Sequence, residues 1–204
     1  MMPLAKHFRW ATLIPLTGAI LLSGCLSLGG KAPDSLLTLT SVNSLPAGVE
    51  ARRGEVGSAL TIMVPSTPQK LRTPRVPVQS GDINIAYVQD ATWVEPPARL
   101  FQRLLSETVT ARTTRLVLDE SEFVTGAGEV VTGQLLDFGV DANSNQAVVT
   151  YLAVRMPSGG GAVEQRRFEG RAPLSRIDAP TVGAALNDAA NRVAVDVAAW
   201  LATP

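Results

Sequence analysis

The chain has a single cysteine, Cys25, which closes the segment Leu22-Ser23-Gly24-Cys25 at the end of a short apolar run. A lone thiol can form no intrachain disulfide, so whatever this chain folds into is held together by packing alone. The position of the cysteine says more. Lys6, His7 and Arg9 form a positive n-region, and residues 10–22 are apolar apart from Thr12, Pro15, Thr17 and Gly18. Those 13 residues are too few to span a bilayer, which takes roughly 20. A basic start, a short apolar run and small residues before a cut site are instead the layout of an export signal. With Ser23 and Gly24 ahead of the cysteine, the tetrapeptide resembles a bacterial lipobox, where a peptidase cuts and the new N-terminal cysteine is acylated. The expected parts are a lipoprotein signal peptide over residues 1–24, a lipidated tether over 25–34 and one domain over 35–204.

Acylated Cys25 would sit in membrane lipid. Each buried CH₂ contributes about 0.8 kcal/mol, so two or more chains hold where one alone is marginal. Leu26 follows the cysteine, where Asp is the usual inner-membrane retention signal of enteric-type bacteria. Its absence points to the periplasmic face of the outer membrane. The tether carries Gly29, Gly30 and Pro33, which prevent regular structure. At about 3.3 to 3.6 Å per residue it reaches at most roughly 30 Å, so the domain stays near the membrane.

Removing the signal leaves 180 of the 204 residues, one domain's worth, with 16 basic against 18 acidic side chains. That balance offers nothing to attract nucleic acid. The only histidine, His7, leaves with the signal, and Cys25 is consumed by acylation. A Ser-His-Asp or Cys-His site cannot then be built, and the commonest zinc ligands are missing. The carboxylates Asp119, Glu120 and Glu122 lie close in sequence, but acids so clustered usually solvate a turn. Gly126-Ala127-Gly128 and Gly159-Gly160-Gly161 lack the Lys-Ser/Thr of a phosphate loop and read as turns. The expectation is a protein that is not an enzyme and uses no cofactor or metal.

Residues 35–42 alternate imperfectly and are rich in β-branched side chains, which predicts a strand. A Gly- and Pro-bearing loop follows over 43–57, then a strand over 59–64 that Pro65 ends. Residues 65–77 hold four prolines with Lys70, Arg72 and Arg75 and no acid, and read as a solvated loop or strand edge. Residues 83–88 predict a strand with Ile83, Ile85 and Tyr87 on one face by period two. Pro96-Pro97 opens a helix to residue 112. Leu100, Phe101, Leu104, Leu105, Thr108 and Val109 form its packed face, and Arg99, Gln102, Arg103, Ser106 and Glu107 its wet one. A short strand at 116–118 precedes a meander of 129–140, 146–156 and 163–172, joined by polar turns. A closing helix over 179–202, capped by Asp178, buries Val182, Leu186, Ala189, Val193, Val197 and Trp200. The order predicts an α+β single domain, a largely antiparallel sheet with two main helices packed on it.

The segment from Ile85 through Tyr87, Trp93, Glu95, Pro96, Pro97, Leu100 and Leu104 to Leu105 resembles the central signature of the ABC-type transport auxiliary lipoproteins. That signature is a tyrosine ending a strand, a tryptophan about six residues on, an acid, and an amphipathic helix. Leu71-Arg72-Thr73-Pro74-Arg75-Val76 resembles the family's proline-containing lead-in, and the ending Ala199-Trp200-Leu201 also fits. The likeness runs through most of residues 35–202. It marks Tyr87, Trp93, Leu100, Leu104 and Trp200 as core or interface residues, with Trp93 either a core plug or an exposed anchor. It implies a periplasmic accessory of a lipid-transport system, beside an MCE-domain protein, an inner-membrane permease and an ATPase, and assembly into a homo-oligomeric ring. Two other readings stand beside it: a lipid-binding carrier with an apolar groove, and a structural envelope lipoprotein regulating a cell-wall enzyme.

Overall fold

The computed structural model describes residues 35–49, 52–122 and 128–202. The signal, the tether and Cys25 lie outside them, as do Gly126 and Ala127. Seven strands and two α-helices follow in the order β1 (Leu60–Ile62), β2 (Arg75–Ser80), β3 (Asn84–Thr92), α1 (Pro97–Arg112), β4 (Val117–Leu118), β5 (Glu129–Asp141), β6 (Gln146–Met156), β7 (Glu164–Pro173) and α2 (Ala179–Leu201).

The two turns expected between the long strands set the register of the meander. Between β5 and β6 the Asp141 carboxylate accepts from the Asn143 N–H at 3.0 Å and from the Ser144 hydroxyl at 2.6 Å, and Asn145 takes φ 50°. Asn tolerates that left-handed conformation better than most residues. The antiparallel β5–β6 and β6–β7 ladders then run almost the full length of the strands.

Along its other edge β5 is shared. Its N-terminal end pairs with β1 and its C-terminal end with β2, both in parallel; β1 also pairs in parallel with β4, and β2 pairs antiparallel with β3. The sheet is therefore mixed, and "largely antiparallel" holds for the long ladders but not for the short pairings of β1, β4 and β2–β5. Parallel neighbours need a crossover. Here the chain from β1 to β4 passes through the β2–β3 hairpin and α1.

Both helices lie on one face of the sheet. α1 begins with Pro97 at its first turn, where a missing N–H costs nothing. α2 is capped by Asp178, whose side chain accepts from the Thr181 N–H at 3.0 Å. The expected buried residues of both helices are buried, with one correction on the wet side of α1. Gln102 turns inward and its Nε2 donates to the Ile62 carbonyl at 3.0 Å, where β1 ends. Gly170 of β7 lets α2 settle closely, since a Cβ there would lie 2.2 Å from the Ala189 carbonyl oxygen. Among the described residues no helix is long and apolar enough to cross a membrane.

Three aromatic contacts fill the space between the layers. Trp93 meets Phe138 edge-on at 5.3 Å, Phe101 meets Tyr151 at 5.2 Å, and Phe168 meets Trp200 at 5.6 Å. Burial pushes the Tyr151 phenol well above its usual range, so it stays a neutral donor to the Thr132 carbonyl at 2.8 Å.

Three sequence expectations need correction. Residues 35–42 form no strand: only Leu37 makes a single parallel bridge, to Trp93. The rest of the segment runs extended across α2, where Asn side chains satisfy its backbone. The Thr40 N–H donates to Asn187 Oδ1 at 2.8 Å, the Val42 N–H to Asn191 Oδ1 at 2.9 Å, and Asn191 Nδ2 to the Thr40 carbonyl at 2.9 Å. The proline-rich run, expected as a solvated loop or strand edge, is strand from Arg75, where β2 starts and takes in Pro77, and β2 is no edge, since it pairs with β3 on one side and β5 on the other. The strand expected over 83–88 runs over Asn84–Thr92, so Ile83 falls in the turn before it and not on the strand face that Ile85 and Tyr87 share; Val88 and Ala91 supply the buried positions.

Candidate functional site

Of the five signature residues, four belong to the core. Trp93 is only 1% exposed, held by the Phe138 contact and by its backbone N–H donating to the Pro74 carbonyl at 2.7 Å. Leu100 and Leu104 are buried on the inner face of α1, and Trp200 packs on Phe168 near the end of α2. Trp93 is thus a core plug and not an exposed anchor. Tyr87 alone reaches the surface, half-buried, with the Arg75 guanidinium 4.1 Å over its ring. Glu95 is tied to Arg103 by an ion pair that joins the segment before α1 to its second turn.

Cross-strand partners share a face. Tyr87 is paired with Pro77 and Ile85 with Gln79, and both Pro77 and Gln79 line an open cleft of about 380 Å³ on the sheet face that carries no helix. Gly139 of β5 belongs to the same cleft. A Cβ there would lie 2.4 Å from the Pro77 carbonyl oxygen, so the glycine is what lets β2 lie against β5.

The charges of the cleft are largely matched against one another. Lys70 pairs with Asp137, and Arg171 pairs with Glu169 at 2.7 Å and lies 3.8 Å from Asp141. The Arg171 hydrogen bond holds the Glu169 carboxyl below the usual carboxylate range, and the Ser144 hydroxyl does the same for Asp141. Glu169 and Asp141 therefore stay charged, and neither is poised to exchange a proton near neutral pH. Asp119, Glu120 and Glu122 lie in an exposed turn, where the Ser121 N–H lowers the Asp119 carboxyl. Among the described residues no group of three or more His, Cys, Asp or Glu side chains could hold a metal ion.

β3 is also an edge strand. β2 pairs along one side, and on the other only Leu37 meets it, donating its N–H to the Thr92 carbonyl and accepting from Val94 N–H. From Asn84 to Ala91 that side is open among the described residues. Its side chains are conspicuously apolar for a surface strand: Ile83, in the preceding turn, is 89% exposed and Ile85 is 47% exposed. The arrangement can hold a surface by contact.

Two polar devices escaped the sequence reading. Asn187 and Asn191, four apart in an Ala- and Val-rich helix, strap residues 40–42 to α2; their spacing was the available signal. Glu129, at the start of β5, takes Arg115 at 2.7 Å and Arg155 at 2.6 Å, a half-buried triad joining the chain before β4 to β5 and β6. Nothing local in the sequence links these three.

A family model described as "ABC-type transport auxiliary lipoprotein component" matches residues 41–198. No curated protein matches. Among solved structures, a Xanthomonas campestris protein of family DUF330 superposes with a TM-score of 0.67 at 18% identity, covering 82% of this chain and 95% of that one. A second crystal structure, of an uncharacterized protein, superposes with a TM-score of 0.62 at 10% identity over 82% of this chain and 99% of the other. At these identities both are similar in fold alone.

Proposed function

The chain belongs to the ABC-type transport auxiliary lipoprotein components, and from that premise we propose that it is a lipid-anchored docking subunit of an MCE/ABC-type lipid-transport system. Membership places it with the cell envelope. The finer assignment is acylation at Cys25, residence on the periplasmic face of the outer membrane, and contact with an MCE-domain protein whose permease and ATPase lie in the inner membrane. It acts without catalysis, cofactor or metal, and assembles as a ring whose symmetry repeats one contact around the partner.

One observation carries the choice of docking over lipid carriage. The space between helices and sheet, where a carrier would hold an acyl chain, is filled by Trp93, Phe101, Phe138, Tyr151, Leu135 and Leu186, all under 2% exposed. The cleft on the opposite face is lined by ion pairs and suits no hydrocarbon. A domain with a filled interior and an uncovered sheet face works by presenting that surface.

The test is co-purification of the mature lipoprotein with the MCE-domain protein encoded beside it, followed by mass measurement of the complex. A stable complex with several copies of this chain is expected. No association at micromolar concentration, together with tightly held phospholipid in the domain alone, would move the assignment to the carrier. Cys25→Ser should leave an uncleaved precursor or a soluble periplasmic protein, and a cleaved variant that still fractionates with outer membrane would refute the anchor.

A further inference from the structure

We propose that the open edge of β3 receives an extended segment of the partner polypeptide as an added strand, with apolar side chains along its middle and basic side chains at both ends. The proposal rests on the docking reading and specifies its contact.

The two long edges of the sheet are treated differently. On β7 the exposed positions are Glu164, Gln165, Arg166, Arg167, Glu169, Arg171 and Pro173, and Arg167, Glu169 and Arg171 are tied together by ion pairs. Charges along a strand block pairing with another chain, the common protection of an exposed edge. β3 lacks it. From Asn84 to Val88 it carries no charge, and Ile85 and Tyr87 stand on the face without helices. Every second residue of such an edge turns its N–H and C=O outward, which is what a strand requires of its neighbour. The edge already accepts one: Leu37 bridges it in parallel at Trp93. The uncharged stretch ends at the hairpin turn on one side and at a bulge on the other, where Asp90 takes φ 56° and the register with β2 shifts between Arg75 and Pro77.

Charge decides what the added strand is. Asp82 and Asp90 flank the stretch, both exposed and in no ion pair among the described residues. A second copy pairing antiparallel about Ala86, the middle of the stretch, would set Asp82 of each copy against Asp90 of the other, and like charges directly opposite are destabilising. The β7 edge of a second copy would have to desolvate its ion pairs against Ile85. A segment with Lys or Arg at its ends meets both acids and covers the apolar middle.

The experiment uses the full mature lipoprotein in detergent, with the periplasmic region of the neighbouring MCE-domain protein as the probe. Amide hydrogen exchange is followed with and without the probe, and affinity is measured for the native chain, Ile85→Lys and the double variant Asp82→Lys/Asp90→Asn, the asparagine being chosen because it tolerates the positive φ at residue 90. The complex should slow exchange at alternate amides of residues 84–88, and each variant should bind roughly tenfold or more weakly with unchanged thermal midpoint. A complex that leaves these amides unprotected and binds all variants equally would overturn the edge and leave docking standing. No complex at all would bring down both. Protection that grows with lipoprotein concentration without the probe would assign the edge to a second copy and overturn the proposal.

Discussion

Replacing Trp93 by alanine should unfold the domain more readily without acting on any surface. The ring is 1% exposed and contacts Phe138 edge-on at 5.3 Å. Truncating a core aromatic to alanine costs about 3 to 5 kcal/mol, of which about 0.5 to 1.5 belongs to a contact such as that with Phe138. One term runs the other way. The Trp93 Nε1 hydrogen has no partner among the described residues, and a stranded buried donor costs about 1 to 3 kcal/mol in the native state. Alanine removes that cost along with the ring, which places Trp93→Ala near the lower end, at about 3 kcal/mol. Phenylalanine removes it while keeping most of the packing, so Trp93→Phe should cost about 1 kcal/mol or less. In a domain of this size 1 kcal/mol moves the melting midpoint by roughly 2 to 4 °C, so Trp93→Ala should lower it by about 6 to 12 °C. Urea titration of both variants gives the two free energies directly. An unchanged midpoint for Trp93→Ala with weakened partner binding would refute the core assignment, and equal losses for the two variants would refute the argument from the indole N–H.

Gly170→Ala should destabilise by about 1 to 3 kcal/mol, because its Cβ would meet backbone at Ala189, whereas Gly57→Ala, with nothing within 4 Å, should be close to neutral; equal midpoints would show that α2 gives way freely. Glu129→Gln leaves Arg115 and Arg155 facing one another without their shared carboxylate, and a loss of about 3 kcal/mol in urea titration is expected; a loss near zero would mean that solvent already screens the triad. The Glu169 and Asp141 carboxyls titrate below their unfolded values, chiefly through hydrogen bonds from Arg171 and Ser144. Their stabilisation is therefore complete above the unfolded values near 4 and is lost as pH falls through the lower folded ones. The melting midpoint should decline below about pH 4, and a flat profile down to about pH 2 would contradict this.

Both helices and the meander were legible in the sequence, for local reasons. Their apolar positions recur at helical or strand spacing, and Pro97, Asp178 and the Asp141–Asn145 turn mark ends that need only neighbouring residues to form. β2 was hidden by its own prolines. Pro77 has no N–H to give a ladder, yet it is tolerated because β2 needs only short pairings and Gly139 clears room for its carbonyl. Residues 35–42 misled for the opposite reason. Their β-branched pattern suits an extended chain, and extended they are, but Asn187 and Asn191 satisfy the backbone that a neighbouring strand would have satisfied. The parallel pairings of β1 with β4 and β5 join residues far apart in the chain, and no local spacing announces them.

The candidate surface was half visible. Period two put Ile85 and Tyr87 together, but alternation is the same whichever side of the sheet is buried, and only the placement of α1 and α2 decides it. The signature residues were marked by resemblance, and four of them turn out to hold the core, so a family pattern made of packing residues locates a fold more surely than a contact. The informative contrast lies elsewhere. Once the topology names β3 and β7 as edges, the charges of residues 164–171 and their absence from residues 84–88 acquire meaning. A sheet that arms one edge with arginines and glutamates and leaves the middle of the other apolar, with an acid at each end, has treated the second as a surface to be covered, and removing the charges of Asp82 and Asp90 reads that surface without disturbing the core beneath it.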